Sequence, residues 1–142
     1  MDTNQIIDGI TEKLSATYGD DSYKYYTEQV KQGLRTPCFI VSCVTMGSEQ
    51  MLGDRYKRNS AFSVTYLPKS TTEAGNECLK IQNTLFDALE YITVGGNLKR
   101  GTDIAGRIVD GALVCTVNYD MFIRRVREKD TMITLQVKSG SG

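Results

Sequence analysis

Gly96-Asn97-Leu98-Lys99-Arg100-Gly101 has the glycine spacing of a phosphate-cradling loop, in which backbone amides hold the anion and a following lysine reaches it. Thr102-Asp103 stands where the Lys-Ser/Thr pair belongs, and no helical pattern follows. These glycines therefore read as suppliers of turn dihedrals in a β connection. Carboxylates suited to acid–base work occur at Asp20-Asp21, Asp54, Asp103 and Asp110. All of them sit at turn signals, where Asp bonds to its own local backbone. Cysteines at 38, 43, 78 and 115 show no C-x-x-C pair, which argues against a zinc ribbon or a redox pair and makes them small buried hydrophobes. The chain has no histidine, which removes Ser-His and Cys-His nucleophile pairs, imidazole bases and His-containing zinc sites. We expect no catalytic residue, no cofactor and no metal.

Cationic side chains are the remaining chemical signal. Arg55-Tyr56-Lys57-Arg58 and Arg124-Arg125-Val126-Arg127 lie at or near strand ends, the first interleaved with an aromatic in the manner of phosphate contacts. With 17 Lys+Arg against 17 Asp+Glu the formal net charge is zero, so the broad counterion-release attraction behind autonomous DNA binding is missing. The charge is uneven along the chain. Residues 1–30 carry two basic and six acidic side chains, and residues 97–142 carry eight basic and five acidic ones, a polarity able to steer head-to-tail contact between copies. Tyr23, Tyr25, Tyr26, Tyr56 and Tyr66 read as core or interface residues, with interface the sharper expectation.

Behind these side chains stands an ordinary globular sequence of 142 residues, 40 % apolar and 24 % charged, one domain able to bury roughly 70 % of the surface its unfolded form exposes. The longest apolar run, Cys38–Val44, is far short of a bilayer span, and the N-terminus lacks the pattern of a secretory leader, so cytosolic synthesis is expected. Ile6, Ile7, Ile10, Leu14 and Tyr18 form a helical stripe over about 3–18, with Asp2 or Thr3 as N-cap. Tyr23, Tyr25 and Thr27 alternate as a short strand, and Cys38–Val44 predicts a central strand covered on both faces. Val44–Leu67 predicts a long projecting hairpin turning at Gly53-Asp54. Ser70-Thr71-Thr72-Glu73 predicts a capping box ahead of a helical stripe through Cys78, Ile81, Leu85, Ala88, Leu89 and Ile92. Asp110-Gly111 is a type I′ hairpin signal between 104–109 and 112–124. The expected fold is α+β, a mainly antiparallel sheet with two helices packed on one face. Residues 1–130 form a single domain, and 131–142 are an extension with a flexible Ser/Gly end.

Four stretches in this order, Tyr26–Phe39 with Glu28, Gln32, Gly33, Leu34 and Pro37, then Leu52–Arg58, Phe62–Lys69 and Leu85–Ile92 ahead of a glycine-containing connection, together resemble the phage tail terminator proteins of phages and prophages of Gram-positive bacteria. The resemblance runs from about Ile6 to Val126. It implies a structural virion protein, and no catalytic residue can be carried over. Such a protein forms a ring, usually a hexamer, on the head-proximal end of the tail tube, in an intact phage or a phage-tail-like particle. There it ends tube polymerisation and offers the surface for the neck or head-completion protein, with DNA passing through its lumen and no membrane involved. Two rival readings are a neck or head-completion protein and a small nucleotide-binding domain built on Gly96–Thr102. Within the first reading, Arg55, Tyr56, Lys57 and Arg58 are expected at the subunit or tube interface, because a projecting two-stranded element has edges free for strand addition. Lys99, Arg100 and Arg107 are expected to face the lumen.

Overall fold

The computed structural model describes residues 2–27, 33–127 and 133–138. Helix α1, Thr3–Tyr18, starts on a reciprocal cap: Asp2 Oδ1 accepts from the Gln5 amide at 2.9 Å, and Gln5 Oε1 accepts from the Asp2 amide at 2.9 Å. After β1 (Lys24–Tyr26) come β2 (Cys38–Gln50), β3 (Arg55–Leu67), α2 (Ala74–Glu90), β4 (Tyr91–Val94), β5 (Asn97–Arg100), β6 (Thr102–Val109), β7 (Ala112–Arg127) and β8 (Ile133–Lys138). The main sheet runs β1-β2-β3-β7-β6 with β8 also paired to β7, and β4-β5 is a separate small hairpin. Only β1 joins in parallel; the other pairs are antiparallel. The architecture is α+β.

Register decides which side chains are buried. Phe39 faces Tyr66, Val41 faces Val64, and those two lie opposite Leu113 and Cys115, so alternate residues of three strands present one apolar face. Ile6, Ile10 and Leu14 of α1 and Cys78, Ile81, Leu85 and Leu89 of α2 join that face in one buried cluster. Both helices thus cover the same side of the sheet.

The structure corrects several expectations. Strand β2 lies beside the edge strand β1 and is covered by helices on one face only; Ile40 and Ser42 on the other side are half-exposed. The Ser70–Glu73 box is out of register with the helix. Ser70 Oγ does accept from the Glu73 amide at 3.0 Å, yet Glu73 is itself the N-cap, without a side-chain bond. The carboxylate that closes this entry is Glu77, which accepts from the amides of Lys69 (2.7 Å) and Ser70 (3.2 Å) and the Tyr66 hydroxyl (2.5 Å). The stripe's last member, Ile92, belongs to β4, and the expected Gly-rich connection contains the β4-β5 hairpin, turned by Gly95 and Gly96 at φ 57° and 82°. Part of the C-terminal extension is strand β8; the Ser/Gly end, 139–142, lies outside the described residues. Asp110 and Gly111 adopt φ 51° and 79°, as their hairpin signal requires. Tyr66 is buried in the core, and Tyr23 and Tyr25 pack against the core around Phe39 while staying half-exposed.

Candidate assembly surface

The long hairpin forms as expected, but it is not a free two-stranded ribbon. Strand β7 pairs with β3 as far as Arg55 opposite Arg124, and the Arg125 amide donates to the Asp54 carbonyl at 2.8 Å. The result is a blade at least three strands wide that continues past the helices. On its open side β2 has a partner only at Cys38–Ile40, so Val41–Gln50 is an open edge among the described residues. The blade carries exposed apolar groups at Val44, Met46 (71 % exposed), Met51 and Leu52 (90 %), while others lie on α2, the β4-β5 hairpin and β6. An apolar pair at a hairpin turn is a feature that burial within one chain does not explain. Met51-Leu52 directly before Gly53-Asp54 is the sequence signal that could have marked it.

The four interface candidates divide. Arg55 is exposed, and Tyr56, Lys57 and Arg58 are partly covered. Lys57 Nζ lies 3.5 Å from Asp120 Oδ2, and the Arg125 guanidinium sits 4.5 Å over the Tyr56 ring. Arg124 Nε meets Asp54 Oδ2 at 2.9 Å, and that bond holds the Asp54 carboxyl below the usual carboxylate range. Arg55 and Arg58 make no ion pair among the described residues.

The three lumen candidates are not brought together. Lys99 is 4 % exposed; its ammonium donates to the Asp120 carbonyl at 2.9 Å, and burial pushes it below the usual lysine range. It faces into the protein because its register partner Ile92 also points at the core. Arg100 is exposed on the other face of that small hairpin, and Arg107 is exposed on the helix-free face of the main sheet. That face is polar. Thr45, Gly47, Lys57, Asn59, Thr102, Asp103, Asn118 and Asp120 line an open concavity of about 380 Å³, where Asn118 Nδ2 donates to Asp103 Oδ2 at 3.0 Å. Its groups are solvated amides, hydroxyls and a paired Lys–Asp, an arrangement fit for contact rather than for bond-making. Gly96–Gly101 runs from a hairpin turn directly into β6 and offers no helix N-terminus to an anion.

Residues 5–131 match the family model of the phage tail terminator protein. No curated protein matches the chain. One solved structure, of a protein without a descriptive name, is 13 % identical with a TM-score of 0.41, the match covering 86 % of this chain and 94 % of that one. That likeness is too weak to carry an argument, whereas the family match spans both helices and the whole hairpin blade. This chain belongs to the phage tail terminator family, structural proteins of the phage tail.

Proposed function

We propose that this protein assembles as a ring, a hexamer by its family resemblance, on the head-proximal end of the tail tube. It ends tube growth there and presents the surface to which the neck docks. The blade carries this reading: a sheet extension that ends in exposed Met51 and Leu52 and bears two cations, Arg55 and Arg58, without an ion pair among the described residues is built to bury itself against another chain. Arg55, Tyr56, Lys57 and Arg58 belong to that contact. Arg107, on the polar helix-free face, is the residue that faces the lumen. Lys99 is withdrawn, since its ammonium is occupied inside the protein. Termination then needs no chemistry, only one ring face that fits the tube and a second face that a further tube subunit does not fit.

Electron microscopy of particles made with and without the protein tests this. We expect labelled protein at the head-proximal tip, and overlong tubes unattached to heads when it is missing. Tubes of normal length that still join filled heads in its absence would end the proposal.

A further inference from the structure

The net charge of the side chains without an ion pair among the described residues differs between the two ends of the sheet, although Glu49 lies on the blade and Lys13 and Lys24 lie on the α1 side. At the blade end, Arg55, Arg58 and Arg125 have no carboxylate partner among the described residues. At the other end, Asp8, Glu12 and Asp20 are exposed, likewise make no ion pair there, and line an open concavity of about 350 Å³ together with Thr11, Ser15 and Tyr25. Tyr25 stacks on Phe39 at 5.5 Å between ring centres, which fixes the concavity beside the start of β2. Gln50 lies eleven residues further along that strand, about 35 Å at strand rise. The blade is tied to β7 along its length, so a chain cannot fold its own tip back onto its own acidic concavity. Only a second copy can bring the two together. Because the two surfaces differ and lie at opposite ends, that contact is head-to-tail, the kind that closes into a ring.

We propose that the blade tip of one copy docks on the α1 concavity of the next, with Arg58 turned toward Asp8, Glu12 and Asp20, Arg55 on the opposite face of β3 at the rim of the contact, and Leu52 covered against the Tyr25 side. This rests on the ring reading above and assigns its two complementary surfaces. It commits to a second copy of this chain, because the acidic counterpart of the basic tip is found on the chain itself.

Charge reversal in both directions tests it, using the full chain alone and with assembled tail tubes, and reading ring formation by sedimentation and electron microscopy. R55E/R58E and D8R/E12R should each weaken ring formation by at least about tenfold, since like charges then meet across the contact. The variant carrying all four changes should recover it. Leu52→Glu, at a fully solvated position, is the second probe should reversal at the half-covered Arg58 disturb folding, and it should weaken rings equally. Rings of wild-type stability in R55E/R58E and L52E, or failure of the fourfold variant to recover, would overturn the docking while leaving the ring reading intact. Loss of tube binding with normal self-association would place the tube, not a second copy, on the blade and also overturn it. A wild-type chain that forms no ring even on tubes would remove both readings.

Discussion

Glu77 shows how much one side chain can organise. Partial burial pushes its carboxyl up, but hydrogen bonds from the Tyr66 hydroxyl and the Lys69 and Ser70 amides, with the Lys69 charge nearby, outweigh that and hold it below the usual carboxylate range. A carboxyl depressed in the folded state adds stability that is full above its unfolded value and is lost as pH falls through the folded one. Glu77→Gln should therefore cost about 1–2 kcal/mol at neutral pH, and the gap to wild type should close in acid, as thermal melts at pH 7 and below pH ~4 would show. Lys99 is the opposite case, a cation held inside by one carbonyl and by the packing of its aliphatic stem. Lys99→Met should change stability by less than about 1.5 kcal/mol, whereas Lys99→Glu sets a carboxylate against the Asp120 carbonyl and should cost about 3 kcal/mol or more by denaturant titration. The role of Glu77 is not legible in the sequence, because [ST]-x-x-E fits Ser70–Glu73 as well as any true cap and only the path of the chain reveals which carboxylate folds back. Lys99 is expected at the lumen because its glycine-rich surroundings suit a loop, whereas the pairing of β5 with β4 turns it inward.

At the scale of elements, the two ends of β2 do different work. Its base is held by aromatic packing: Phe39 lies 4.9 Å from Tyr18, 4.9 Å from Tyr66, 5.8 Å from Tyr23 and 5.5 Å from Tyr25, joining α1, β1 and β3. Phe39→Ala should remove about 3–5 kcal/mol. Leu52→Ser at the solvated tip should move stability by less than about 0.5 kcal/mol, and a pair of denaturation curves separates these outcomes. Helices α1 and α2, the long hairpin and the Asp110-Gly111 turn were legible because each has a repeated local signal: a stripe at 3.6, an alternation at 2, a dipeptide suited to positive φ. The β4-β5 hairpin was not. Each of its strands has four residues, two of them buried in β4 and one in β5, too short a pattern for a period to emerge. Nor does alternation reveal how many faces a strand buries, so Cys38–Val44 read as covered on both sides when its outer side chains are only half-shielded.

Across the whole molecule, the proposed contact joins cations at the blade to carboxylates on α1 that have no ion pair among the described residues, which makes such association electrostatic in part. Rim charges of this kind act within about 10 Å at moderate salt, so self-association should weaken steadily as salt rises from about 0.05 to 0.5 M. Sedimentation across that range checks it, and a flat response would assign the contact to apolar burial alone. The α+β class, the helix and hairpin positions and the family are legible in the linear order of residues, since binary pattern and turn chemistry are local properties that survive without knowledge of neighbours. That order also shows the uneven charge along the chain. What only the tertiary structure decided is where those charges meet space. Which strand flanks β2, how far β7 supports the blade, whether Lys99 faces out or in, and where the acidic helix lies relative to the basic tip all depend on pairings between residues distant in sequence, which register and packing fix and no local pattern encodes.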